Sequence, residues 1–206
     1  MLRLYDFHES GNGYKVRLLL AQLGLDYAWT DLDIMHGASR TPEFLRLNPN
    51  GRIPLLLLED GRTLAESNAI LFHLARDTAL LPEDPFEQAR VLQWMFFEQY
   101  SHEPYIAVLR HWHFAGTLDD HRHELEDRRA RGEAALDVME THLEEHAFFV
   151  GGRYSIADIA LYAYTHVAEE GGFDLSSRSI LRAWLERVAA QSGHVSITEL
   201  PPRQAT

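Results

Sequence analysis

Asn48-Pro-Asn-Gly-Arg-Ile-Pro-Leu-Leu-Leu-Leu-Glu-Asp-Gly-Arg-Thr-Leu-Ala-Glu-Ser-Asn68 is the stretch on which the reading of this chain turns. A turn leads into an apolar strand through Ile53-Pro54, a tight turn at Asp60-Gly61 brings in a second short strand, and Glu66-Ser67 opens a helix. A proline at the mouth of a strand removes a ladder donor, so it needs a purpose there. A cis bond at Pro54 would turn the preceding backbone groups outward, where an extended ligand can pair with them. The acid-hydroxyl pair Glu66-Ser67 sits where free N–H groups and the positive end of a helix dipole collect anions. Two ligand-facing devices so close in sequence point to a site for something short, peptide-like and zwitterionic.

Upstream of this stretch, residues 2–7 alternate as a strand, His8 to Gly13 form a loop with two glycines, and Tyr14 to Leu23 read as a helix stopped by Gly24. Tyr27 to Ile34 alternate again as a second strand, and strand-helix-strand implies a right-handed parallel unit. Thr41-Pro42 caps a short helix, and a further helix runs from about Glu66 to Arg76. The order strand-helix-strand-helix-strand-strand-helix is that of a thioredoxin-like domain, here residues 1–78. Residues 79–86, with prolines and acids, form a linker. Residues 87–206 then read as all-helical. Phe86 to about His113 is a long aromatic-rich helix with Pro104 as a kink, 119–146 is amphipathic, and Ser155-Ile-Ala-Asp158 is a capping box ahead of an apolar helix. Residues 179–190 are another helix, and the tail from Pro201 is expected to fray. The fold class is therefore α/β plus all-α.

Composition narrows the chemistry. The chain has 206 residues, 46% of them hydrophobic and 24% charged, which is ordinary globular composition. Its formal net charge of -12 makes nucleic acid or an anionic membrane surface a poor partner. There is no cysteine, which rules out protein disulfides, a protein thiol nucleophile and thiolate metal sites; sulfur chemistry would have to arrive on a small molecule. No signal peptide pattern and no membrane-length apolar run are present, so a soluble cytoplasmic protein is expected.

With these motifs in order, the chain resembles the cytosolic glutathione transferases over roughly residues 2–192. The resemblance implies glutathione as co-substrate, no metal, a homodimer, a detoxification setting, and an acceptor pocket in the helical domain. It implies that the Ile53 backbone, next to cis-Pro54, pairs with the cysteinyl part of glutathione. Glu66 and Ser67 would hold the γ-glutamyl end, and Arg40 and Arg52 occupy the places that hold the glycyl carboxylate. Ser155 and Asp158 match the family's folding motif. The activating group falls in Glu9-Ser10-Gly11-Asn12-Gly13-Tyr14-Lys15, and Ser10 with Asn12 looks most like the serine-type and bacterial Nu-type enzymes. Donors on a bound sulfur beside a helix N-terminus favour thiolate over thiol, whose free pKa is roughly 8.5. Tyr105 and Arg110, just past the kink, are candidates for the pocket that takes an electrophile or disulfide.

Blander readings stand beside these. Ser10 and Asn12 are ordinary residues at a helix start, Pro54 could be an edge-strand proline, and Glu66-Ser67 could be a routine cap. Tyr5 and Tyr14 are alternative sulfur ligands, although a strand core position and a first-turn packing role suit them better. Arg17 is expected to make structural ion pairs. His142 and His146, four apart, read as a solvated helix face and do not match a metal site. A non-catalytic protein of the same fold, used for ligand or protein binding, is the alternative function.

Overall fold

The computed structural model describes residues 1–201, so the fraying expected past Pro201 lies outside the described residues. The chain divides into two compact units. One is residues 1–76 together with the segment from Ser192; the other is Asp77–Gln191.

The first unit follows the predicted order: β1 (Leu2–Asp6), α1 (Gly11–Gln22), β2 (Tyr27–Asp31), α2 (Pro42–Leu47), β3 (Leu55–Leu57), β4 (Thr63–Ala65) and α3 (Ser67–Leu74). The sheet order is β2-β1-β3-β4. β1 runs parallel to β2, with Leu2 opposite Tyr27, while β3 is antiparallel to both β1 and β4. Leu4 and Leu56 from the sheet meet Val16, Leu20 and Ile70 from the helices in the core, with Trp29 beside them. β2 is shorter than its alternation predicts. The Asp33 carboxylate accepts from the N–H groups of Met35 and His36 and winds the chain into a 3-10 turn at Ile34–His36. Thr41 caps α2 as expected, its hydroxyl accepting from Phe44 N.

The second unit holds α4 (Pro85–Phe97), α5 (Glu103–Ala115), α6 (Arg122–Leu143), α7 (Ile156–Thr165) and α8 (Ser179–Ala189). The long aromatic pattern is interrupted by a π-helical segment, Glu98–His102, just before Pro104. Pro104 has no N–H to give to the carbonyl four residues back, so the ladder widens there. Trp94 packs on Phe97, His142 and Phe149 within this unit. The capping box at the start of α7 is complete. Asp158 is wholly buried and accepts from Ser155 N, Ser155 Oγ, Phe149 N and Trp184 Nε1.

The boundaries differ from the expected 1–78, 79–86 and 87–206. Residues expected as linker belong to the helical unit: Asp84 caps α4, and Leu80 O accepts from Ile156 N at 3.0 Å. The segment from Ser192 leaves the helical unit and joins the first. Tyr14 Oη donates to Val195 O at 2.8 Å, and Arg17 Nη1 donates to Ile197 O at 3.0 Å and to Glu199 O at 3.3 Å. These backbone acceptors carry no sequence signal, so composition alone assigned the segment to its nearest neighbour in the chain.

Candidate functional site

Ser10 is the N-cap of α1, with extended backbone and its Oγ accepting from Gly13 N at 3.1 Å. The helix starts at Gly11, earlier than periodicity predicts, because this cap satisfies an otherwise orphaned N–H. A hydroxyl has one proton and two lone pairs. Capping uses a lone pair and leaves the O–H as a donor for another group.

Asn12 lies in the first turn of α1. Its Oδ1 accepts from Lys15 Nζ at 2.8 Å and from Ser67 Oγ at 3.0 Å. The carboxamide oxygen therefore ties the first turn of α1 to the start of α3. Lys15 also donates to Ser67 Oγ at 3.4 Å. Sequence reasoning missed Lys15; a cation in an apolar helical run, two residues before Arg17, was the available signal.

Below this cluster, Asp6 at the end of β1 is wholly buried and paired with Arg17 Nε at 3.0 Å. Burial pushes the Asp6 carboxyl up to about 7, against the pull of Arg17 and the Phe7 N–H. Arg17 also donates to His8 O at 2.8 Å, so it has the structural role expected of it. Gly13 rests directly on Asp6: a Cβ there would lie 1.4 Å from Asp6 Oδ1. That requirement is tertiary and was not read from the glycine pair.

The Ile53–Pro54 bond is cis. Pro54 is buried, Ile53 half-buried, and β3 begins only at Leu55. Among the described residues no backbone hydrogen bond uses the Ile53 main chain, which leaves its N–H and C=O available to an extended ligand. The turn before it is built by Asn48, which accepts from Asn50 N at 3.1 Å and donates from Nδ2 to Arg52 O at 2.8 Å. Arg40 Nη1 donates to Asn50 O at 3.0 Å. Arg40 is therefore a brace of this loop while exposed to solvent, and Arg52 is exposed beside it.

Glu66 has φ 67 and ψ 114, one of two non-glycine residues among those described with positive φ. L-residues avoid that region, and holding one there costs on the order of 1–3 kcal/mol. The side chain does not cap α3 and is exposed, whereas Ser67 is 5% exposed. The strained turn offers the Glu66 carboxylate to a ligand's cationic end, with the N–H groups of α3 beside it for an anionic one.

The alternative tyrosines have other work. Tyr14 is fully buried with its hydroxyl on Val195 O, and Tyr5 packs edge-on to Phe44 at 5.8 Å between ring centroids. In the helical unit, Arg131 lies 5.8 Å over the Tyr105 ring, and Arg110 Nε donates to Glu170 Oε2 at 2.6 Å. The structure thus brings Ser10, Asn12, Ile53, Pro54, Glu66 and Ser67 into one unit with Arg40 and Arg52, and places Tyr105 and Arg110 in the other. His142 and His146 stack at 4.3 Å, and each ring nitrogen that bonds does so to a backbone carbonyl.

Comparison with known proteins matches residues 1–76 to the glutathione S-transferase N-terminal domain and residues 94–192 to the C-terminal domain. The disulfide-bond oxidoreductase YfcG of Escherichia coli is 31% identical over 200 residues, covering 93% of this chain and 91% of its own. A glutathione S-transferase crystal structure from Pseudomonas fluorescens superposes with TM-score 0.94 at 51% identity, over 96% of this chain and 99% of that one. Yeast Ure2p in complex with glutathione superposes with TM-score 0.82 at 25% identity, over 93% and 95%.

Proposed function

The chain belongs to the glutathione S-transferase family, and we propose that it uses Ser10 and Asn12 to activate the glutathione thiol for attack on a disulfide. The observation that carries this is the hydrogen bond from Ser67 at the head of α3 to Asn12 in the first turn of α1, two residues from the Ser10 cap, in a unit that also holds the cis Ile53–Pro54 bond and on a chain with no cysteine. The residues fit a γ-glutamyl tripeptide. The Ile53 main chain pairs with its cysteinyl backbone, Glu66 meets the γ-glutamyl ammonium, the start of α3 receives the adjoining carboxylate, and Arg40 and Arg52 face the glycyl carboxylate. Glutathione supplies the sulfur and the electrons.

The chain's own task is to hold that sulfur as thiolate. The Ser10 O–H and the Asn12 NH2 edge donate toward it beside the N-terminus of α1. Each pH unit by which the thiol pKa falls is worth about 1.4 kcal/mol. In disulfide reduction one thiolate attacks one sulfur of the substrate, forms a mixed disulfide and expels the other sulfur as thiolate. A second glutathione thiolate resolves the mixed disulfide, leaving oxidised glutathione and the reduced substrate with two protons taken from the thiols. The name of the Escherichia coli relative supports this over conjugation to an organic electrophile. Tyr105 and Arg110 are proposed to contact the second substrate. We also infer a homodimer acting in the cytoplasm, which light scattering and cell fractionation test.

Replacing Ser10 by Ala tests the assignment. kcat/KM with glutathione and a mixed-disulfide substrate should fall at least tenfold, about 1.4 kcal/mol. Unchanged turnover sinks the role of Ser10. Turnover on an aryl halide exceeding that on the mixed disulfide would reverse the order of the two reactions. A non-catalytic protein of this fold would retain on a glutathione column and turn over neither.

A further inference from the structure

Lys15 is a charged group at the centre of the candidate site to which the reading above gives no task. Its side chain is 0% exposed, and taking an ammonium out of water is costly unless polar partners receive it. Nζ donates to Asn12 Oδ1 at 2.8 Å and to Ser67 Oγ at 3.4 Å, while Ser67 Oγ donates to Asn12 Oδ1 at 3.0 Å. The three side chains close a triangle between the first turn of α1 and the first residue of α3. One corner is the proposed donor to sulfur. Another heads the helix proposed to take the γ-glutamyl carboxylate. A single buried positive charge is thus bonded to both residues that would face negative parts of the bound tripeptide.

We infer that Lys15 is a positioning residue for thiol activation: it fixes the Asn12 carboxamide and supplies a positive charge that favours thiolate. The inference rests on the glutathione reading of this site. Both effects work before substrate arrives, because Lys15, Asn12 and Ser67 are already joined, so no reorganisation is required when the sulfur ionises. Asp6 is paired with Arg17 at 3.0 Å, Glu9 lies 3.6 Å from His8 Nε2, and Glu66 is exposed at the start of α3. They stay in place when Lys15 is replaced, so a change in sulfur ionisation reports Lys15 itself. The competing reading is a staple that merely holds α1 to α3.

Lys15→Met, Lys15→Gln and Lys15→Arg separate the two. The ionisation of bound glutathione is followed by thiolate ultraviolet absorbance against pH, and kcat/KM is measured over the same range. Lys15→Met and Lys15→Gln should raise the ionisation midpoint by about one pH unit, roughly tenfold less thiolate below it. Their kcat/KM should fall about tenfold at neutral pH and recover in alkali. Affinity for S-methylglutathione, which has no thiol to ionise, should change by less than about threefold. Lys15→Arg keeps charge and donors and should restore the midpoint. Should Lys15→Met not fold, Lys15→Gln carries the test, because it removes the charge while keeping an N–H donor on a side chain of similar shape. A wild-type midpoint in Lys15→Gln, with only the melting temperature lowered, overturns the inference in favour of the staple. Failure of the wild-type protein to bind S-methylglutathione overturns the glutathione reading beneath it, an outcome separate from the first.

Discussion

Replacing Gly13 by Ala should be among the most damaging single-methyl additions in the first unit. The new Cβ would stand 1.4 Å from Asp6 Oδ1 and 2.1 Å from Asp6 Cγ, and ordinary contact begins near 3.4 Å, so the carboxylate must retreat by about 2 Å. It has nowhere cheap to go. Asp6 is fully buried, takes Phe7 N at 2.7 Å on Oδ1 and Arg17 Nε at 3.0 Å on Oδ2, and a 2 Å move breaks both. Disrupting a buried ion pair costs about 3–5 kcal/mol. Removing a helical glycine returns about 1 kcal/mol in propensity. The net loss is about 2–4 kcal/mol, or roughly 5–15 °C in melting temperature for a chain of this size. Thermal unfolding by circular dichroism reads it. Gly24→Ala serves as control, since its Cβ meets nothing within 4 Å and only the φ of +63 resists it, at about 1 kcal/mol. The decisive measurement is the double mutant. In an Asp6→Ala background the obstacle is gone, and Gly13→Ala should cost nothing or stabilise. Equal costs in the two backgrounds would refute the contact, whatever the single mutant does.

Three further outcomes follow from other parts of the chain. Asp158 is buried with four donors, yet burial still pushes its carboxyl up from 3.8 to about 6. The folded state therefore holds more protons than the unfolded chain between about pH 4 and 6, and stability falls as pH rises through that window by about 3 kcal/mol. Urea unfolding against pH should show that slope in the wild type, added to one of the same sign from Asp6, and Asp158→Asn, which is also destabilised overall, should lose only the Asp158 share; an identical slope in both contradicts the assignment. Tyr14→Phe removes the bond to Val195 O and should speed amide exchange around residues 194–197 while leaving kcat within about twofold; a tenfold loss of kcat would instead make Tyr14 a sulfur ligand. Glu66→Gly should relieve backbone strain of about 1 kcal/mol while raising KM for glutathione, so stability and binding move in opposite directions. Lower stability with an unchanged KM would mean that the turn contributes to folding and not to recognition.

What the sequence carried of the fold was what local chemistry writes into it. The caps at Ser10, Thr41 and Ser155 start helices where side-chain oxygens meet orphaned N–H groups, and all three act within three residues; the same device at Asp84 was read as linker. The strand alternation places Leu4 and Leu56 inside for the same local reason. The two units and their order follow from such signals. Gly13 read only as a loop glycine ahead of the helix, and the neighbour that requires it, Asp6, is named only once α1 lies on β1. The segment from Ser192 has no periodicity, because what holds it is backbone oxygen presented to Tyr14 and Arg17 from 180 residues away. Arg40 was placed at a carboxylate by resemblance; the structure adds that its Nη1 already supports Asn50 O, a role spacing could not express.

The division of labour within the site also becomes sharper. Sequence motifs separate a holding stretch, Asn48 to Asn68, from an activating loop about forty residues earlier, and treat the two as independent. They are one hydrogen-bonded assembly. The Ser67 hydroxyl has a single proton and gives it to Asn12 Oδ1 at 3.0 Å, so in this arrangement it cannot also donate to a carboxylate. On the proposed reading, an anion at the start of α3 is met by backbone N–H groups and the helix dipole, while the Ser67 side chain is bonded to Asn12, the proposed sulfur donor. Lys15 completes that inward arrangement. A residue that the resemblance assigns to ligand binding thus spends its side chain on Asn12, and the proposed γ-glutamyl site is bonded directly to the proposed sulfur donor.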